Sequence, residues 1–114
     1  MLVDVPRAAQ LWCEEVFGPV ALVMPADNID DALILANDSP FGLQGSVFTR
    51  SLKSAFRFAE EFEVGSLWVN EASRFRLDMY PFGGVKRSGV GREGVRYAIE
   101  ELSQVKFVGM RFDA

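Results

Sequence analysis

Val20 to Met24 is an unbroken apolar run stopped by Pro25, the pattern of a strand covered on both faces in a parallel sheet. Asn28 then offers a helix cap, and Ile29, Ala32, Leu33 and Ala36 recur at helical spacing until Asn37 and Pro40 close the element. Gln44 to Thr49 reads as a second strand. Ser51 opens a second helix whose Leu52, Ala55, Phe56 and Ala59 repeat the stripe, and Gly65 precedes a third strand at Ser66 to Asn70. The alternation predicts an α/β fold, a βαβαβ unit with parallel strands and right-handed crossovers.

Beyond Asn70 a loop rich in Arg and Gly runs to Gly91, and a helix is expected near Arg92 to Leu102. Val105 to Phe112 reads as a final strand with no obvious partner inside the chain. Its unpaired amides and carbonyls call for cover from another part of a larger protein or from a second subunit.

Composition narrows the function more than the fold. The 114 residues, 49% of them hydrophobic, contain no repeat, low-complexity segment or long linker, which points to one soluble domain. A net charge of −4 opposes binding to a phosphate backbone, so no nucleic-acid partner is expected. No apolar run approaches a membrane span, and Asp4, Pro6 and Arg7 stand where a signal sequence needs an apolar core; no membrane association and a cytoplasmic location are expected. With Cys13 as the one cysteine and no histidine, an internal disulfide, a Cys/His metal site and a Ser/His/Asp triad are all excluded.

Gly89, Gly91 and Gly94 reproduce the spacing of a dinucleotide-binding loop. That motif needs a strand immediately before it, whereas Lys86, Arg87 and Ser88 precede these glycines, and too little chain follows to complete the unit. The glycines are better explained as a turn that approaches another backbone segment closely before a helix begins.

Five segments carry a resemblance. Glu14-Glu15-Val16-Phe17-Gly18-Pro19-Val20, the stretch from Ala36 to Leu43, Val47-Phe48-Thr49-Arg50, Gly65 to Asn70, and the block from Pro81 to Gly94 are together similar to the aldehyde dehydrogenase superfamily, in the same order and over nearly the whole chain. The resemblance implies that Glu15 holds the ribose next to the nicotinamide of NAD or NADP, a task suited to a carboxylate that can accept from both hydroxyls of a diol. It implies that Phe17 packs beside the nicotinamide ring. Without the resemblance, Glu14 and Glu15 would read as a solvated pair and Phe17 as a core residue.

The family works through a cysteine thiolate and a glutamate base, in Gly-Gln-Xaa-Cys and Glu-Leu-Gly-Gly settings that do not occur here, so Cys13 is not that nucleophile and no catalytic residue is assigned. The chain is therefore expected to be the carboxy-terminal part of a longer enzyme and inactive alone. Residues 1–104 would complete the catalytic domain; residues 105–114 would be an oligomerisation strand and tail, with Val105 to Phe112 joining a homo-oligomer.

The loop from Ser73 to Phe82 would lead into the family's substrate tunnel, with Phe82 as a wall and Arg76 where many members carry an aromatic. A guanidinium there would hold a carboxylate, phosphonate or phosphate, implying an anionic or strongly polar aldehyde. The sequence leaves open a plainer alternative in which Arg74 and Arg76 are surface charges pairing with acids such as Asp78. The region is most similar to the lactaldehyde, non-phosphorylating glyceraldehyde-3-phosphate and phosphonoacetaldehyde dehydrogenases. Lys86, Arg92 and Glu93 are expected only to orient their surroundings. Two other functions are compatible with the residues: a catalytically inert remnant or sheet-edge interaction module, and a small dinucleotide-binding protein.

Overall fold

The computed structural model describes residues 1–113. Asn28 caps α1 (Ile29–Asn37) through its side-chain oxygen, which accepts from the Asp30 and Asp31 amides at 2.8 and 3.0 Å. These two acids also sit at the positive end of the helix dipole. Two short strands follow, β1 (Phe41–Gly42) and β2 (Gln44–Val47). Ser51 caps α2 (Leu52–Glu61) by accepting from Ser54 N, and α2 leads to β3 (Ser66–Val69). Strands β2 and β3 are parallel, pairing Gln44 with Ser66 and Val47 with Val69. The β2–α2–β3 unit is thus the α/β crossover that the hydrophobic pattern predicts.

The first predicted strand is reduced to a single parallel bridge. Leu2 N donates to Ala21 O and Val23 N to Leu2 O, joining Leu2 to Leu22, and Val20, Val23 and Met24 stay about two-fifths exposed. An apolar run forms a covered strand only when neighbouring strands flank it, and here nothing beyond Leu2 does. Residues 103–113 likewise form no hydrogen-bonded element, because no second edge lies alongside them. Val105, Phe107 and Phe112 are almost wholly exposed. Ala114, the last residue of the expected tail, lies outside the described residues.

Helix α1 packs on α2, with Leu33 and Ala55 the two buried apolar side chains among the described residues. Asn37 ties the helices together, donating to Glu61 O at 2.8 Å and accepting from Glu63 N at 2.9 Å. Arg57 bridges Glu61 and Asp30, and both carboxylates hold its guanidinium above its ordinary pKa, Glu61 the more strongly. The accessible surface of 9296 Å² is well above the roughly 6,200 Å² of a compact chain of this mass. Much apolar surface therefore waits for cover.

The sequence gives no hint of β4 (Val85–Lys86), which pairs antiparallel with β1. This pairing brings Lys86 beneath α1. Its ammonium donates to the carbonyls of Asn37 (2.8 Å) and Ser39 (3.1 Å) and faces Glu63 at 2.6 Å. It thereby satisfies carbonyls that the helix end leaves open and opposes the negative end of the dipole. Lys86→Met should cost about 1 kcal/mol, read as a lower urea midpoint with an unchanged slope. No shift of the midpoint would mean that solvent serves those carbonyls equally well.

The glycine block is a stack of backbones. A side chain on Gly65 would run into the carbonyl of Gly83, and one on Gly83 into the carbonyl of Gly91. Gly91 itself has φ +81°, at the turn before α3 (Val95–Glu101). The close-approach explanation of these glycines accounts for the geometry: the two-residue β4 is separated from Gly89 by Arg87 and Ser88 and does not run directly into the glycines. Among the described residues no helix is long and apolar enough to cross a membrane.

Candidate functional site

Glu15 and Phe17 follow a short 3-10 turn (Gln10–Trp12) on a loop folded by two tight hydrogen bonds, Gly18 N to Val16 O and Val20 N to Gly18 O. Phe17 is 95% exposed and takes no part in this chain's own core. Glu15 is also exposed and lines a cavity of about 540 Å³ together with Phe41, Gln44, Arg87 and Ser88. Ser88 Oγ accepts from Gly42 N at 2.9 Å, pinning the glycine-rich loop to β1, and Arg87 lies 5.6 Å from the Phe41 ring centre. This cavity thus offers carboxylate acceptors beside a cation and a hydroxyl.

A second cavity, of about 250 Å³, lies between the starts of β2 and β3 and the loop that follows β3. Trp68 meets Phe75 edge to face at 5.1 Å, and Tyr80 lies 6.1 Å from the same indole. Arg76 lies over Phe82, its Cζ 4.0 Å from the ring centre, and its Nη2 donates to Glu93 Oε2 at 2.8 Å. Glu93 is fixed in turn by paired backbone hydrogen bonds with Phe82, at 3.0 and 2.6 Å. A guanidinium stacked on a ring and held by one carboxylate keeps further N–H donors for a second anion.

The structure therefore brings Arg76 and Phe82 together and puts Glu15 on the neighbouring cavity. Gln44 is the residue common to the two cavities. Phe17 joins neither group. As the plainer alternative for Arg76 expects, the side chain pairs with an acid at the surface; the acid is Glu93, where the sequence had offered Asp78 as an example. Arg92 has the expected orienting role, its Nη1 donating to the carbonyls of Gly84 and Gly91 at 2.9 and 2.7 Å. Trp68 and Gln44 escaped sequence reasoning, since each sits inside a strand pattern that packing alone explains. A third cavity, of about 750 Å³ between the Leu77–Met79 segment and α3, contains none of the site residues picked from the sequence.

Residues 1–108 match the aldehyde dehydrogenase family. The 3-sulfolactaldehyde dehydrogenase of Priestia megaterium is 47% identical over 108 residues, which are 95% of this chain and 23% of that protein. The lactaldehyde dehydrogenase of Methanococcus maripaludis is 43% identical over 94 residues, 82% of this chain and 20% of the relative. The chain thus spans about a fifth of the length of the curated relatives that it matches. Among solved structures, aldehyde dehydrogenase 21 from Physcomitrella patens in complex with the reaction product succinate superposes with a TM-score of 0.82 at 40% identity, over 87% of this chain and 21% of that one. The glyceraldehyde-3-phosphate dehydrogenase GapN from Methanocaldococcus jannaschii, complexed with NADP, gives 0.79 at 41% identity over 90% and 22%.

Proposed function

Because this chain belongs to the aldehyde dehydrogenase family, we propose that it is the carboxy-terminal portion of an NAD(P)-dependent enzyme that oxidises a short polar or anionic aldehyde to its acid. The observation that carries the reading is the pair of adjoining cavities, one with the Glu15 carboxylate on its wall and the other with Arg76 stacked on Phe82. Relatives named for 3-sulfolactaldehyde and glyceraldehyde-3-phosphate, and a neighbour holding succinate, act on or release compounds with an anionic group. That chemistry suits a guanidinium with donors to spare.

The residues fit a nicotinamide dinucleotide. Glu15 is an exposed carboxylate on a cavity, free to accept from a ribose diol, and Phe17 presents a ring that the chain's own core does not use. When bound, the cofactor supplies the hydride acceptor. Glu15 would fix the ribose, Phe17 would limit the positions of the nicotinamide ring, Arg76 would hold the far end of the substrate, and Phe82 would be the wall beneath it. Residues 1–104 would complete a catalytic domain whose nucleophile and base lie elsewhere in the longer polypeptide. Val105 to Phe112, with its exposed apolar side chains, would pair with a second subunit in a homo-oligomer.

The test compares aldehyde-dependent reduction of NAD and NADP by the longer polypeptide and by the 114-residue chain, with an intact-mass check. Turnover by the first and none by the second is expected. Turnover by a chain of the 114-residue mass would overturn the division of labour. In the longer polypeptide Glu15→Gln should raise the KM for the cofactor about tenfold, as charge-assisted bonds become neutral ones. An unchanged KM would remove Glu15 from the ribose site.

A further inference from the structure

We propose that Asn70 is a positioning residue: it turns the chain off the end of β3 and so fixes where the Ser73 to Tyr80 loop presents Arg76. The functional meaning of that placement rests on the anion-holding role of Arg76 proposed above. Asn70 has φ +59°, in the left-handed region, and its amide donates to Val47 O at 2.8 Å, closing the β2–β3 ladder. Beyond that bond the ladder continues through the side chain. Oδ1 accepts from Thr49 N at 2.8 Å, and Nδ2 donates to Thr49 O at 3.0 Å.

A carboxamide carries the same carbonyl and N–H pair as a peptide unit. Here it takes both backbone groups of Thr49, which the next stretch of β3 would use if the chain ran straight on. The side chain thus ends the sheet with its hydrogen bonds satisfied while the backbone leaves. Asparagine meets three demands at once: it tolerates positive φ, reaches the neighbouring strand, and offers both a donor and an acceptor. Aspartate lacks the donor, and glycine keeps the φ without the bonds. Asn70 is exposed, so packing does not select it.

The chain that leaves at Asn70 folds back over its own strand. Phe75 and Tyr80 both lie against Trp68, just before the turn, and Arg76 between them reaches Phe82 and Glu93. Such a return needs a sharp reversal at the strand's end, and a small rotation there swings the side chains farther along the loop by much more. Thr49 carries the same constraint to α2, since its Oγ1 accepts from Ser51 N at 3.0 Å and Ser51 caps that helix. The root of the loop is thereby fixed to both β2 and α2, whereas its tip is held by aromatic contacts and one ion pair.

The experiment compares wild type and Asn70→Gly in the longer polypeptide, with 4-oxobutanoate and butanal as anionic and uncharged aldehydes of equal length. Asn70→Gly should raise the KM for 4-oxobutanoate roughly tenfold, while its kcat and the KM values for butanal and the cofactor stay within about twofold. Trypsin cleavage after Arg74 or Arg76 should quicken roughly fivefold or more at an unchanged thermal midpoint, because the loop opens without the fold. Should Asn70→Gly not fold, Asn70→Asp, which keeps the acceptor and loses the donor, takes its place with the same expected directions. Cleavage at the wild-type rate, an unchanged KM for 4-oxobutanoate, or equal losses on both aldehydes overturns the positioning role. Arg76→Phe, run alongside, separates that failure from failure of the anion site: if it still lowers kcat/KM for 4-oxobutanoate selectively, the anion site stands without Asn70. Faster cleavage of the variant in a polypeptide whose wild type oxidises no aldehyde keeps Asn70 as the anchor of the loop and overturns the enzymatic reading instead.

Discussion

Gly65→Ala should prevent the β2–β3 sheet from closing against the glycine-rich loop, at a cost of about 3 kcal/mol or more. The added methyl would overlap the Gly83 carbonyl oxygen and crowd that of Leu43. Both are backbone atoms, so no rotamer change makes room. Gly65 N also donates to Gly42 O at 3.0 Å, so moving β3 aside breaks the bond that sets its register. Gly18→Ala is the matched control, because nothing lies within 4 Å of the new methyl; it should stay within about 0.5 kcal/mol. Thermal or urea denaturation of the pair decides the matter, and equal midpoints would show that the loop docks on β3 less tightly than the geometry requires.

In the longer polypeptide, with Arg76 holding the substrate's anionic end as proposed, Arg76→Phe should change selectivity more than any other single substitution in that cavity. Loss of a bidentate partner for an anion removes about 1.5–3 kcal/mol, so kcat/KM for an anionic aldehyde should fall roughly 10- to 150-fold more than for an uncharged aldehyde of similar size. The uncharged substrate still loses something, since the exchange leaves Glu93 without its 2.8 Å partner. Equal losses on the two substrates would mean that Arg76 serves Glu93 and Phe82 alone.

The parts of the fold legible in the sequence were those governed by local chemistry. Asn28 and Ser51 cap the helices that their side chains announce, and the Ser66 to Val69 strand follows Gly65 as the apolar pattern indicates. The Val20 to Met24 strand was misjudged because its pattern states what should cover it, not whether that cover is present. The β1–β4 pair was invisible for another reason: each strand is two residues long, too short for any periodicity to register. At the site, the resemblance named Arg76 and Phe82 separately and did not foresee their contact, while the pairing of Arg76 with Glu93 depends on a bridge between Phe82 and Glu93 that brings positions 17 residues apart into contact.

The backbone stack from Gly65 through Gly83 to Gly91 also sets what can be exchanged in this protein. Segments that meet without side chains have no rotamers with which to absorb a neighbour's change, so they behave as a single inherited part. The loop from Ser73 to Tyr80 hangs between that part and β3, held largely by the aromatic contacts of Trp68 and the single ion pair of Arg76. If the loop borders the substrate as proposed, swapping it as a cassette should rewrite substrate preference, with Phe82 and the glycine frame serving as a fixed socket.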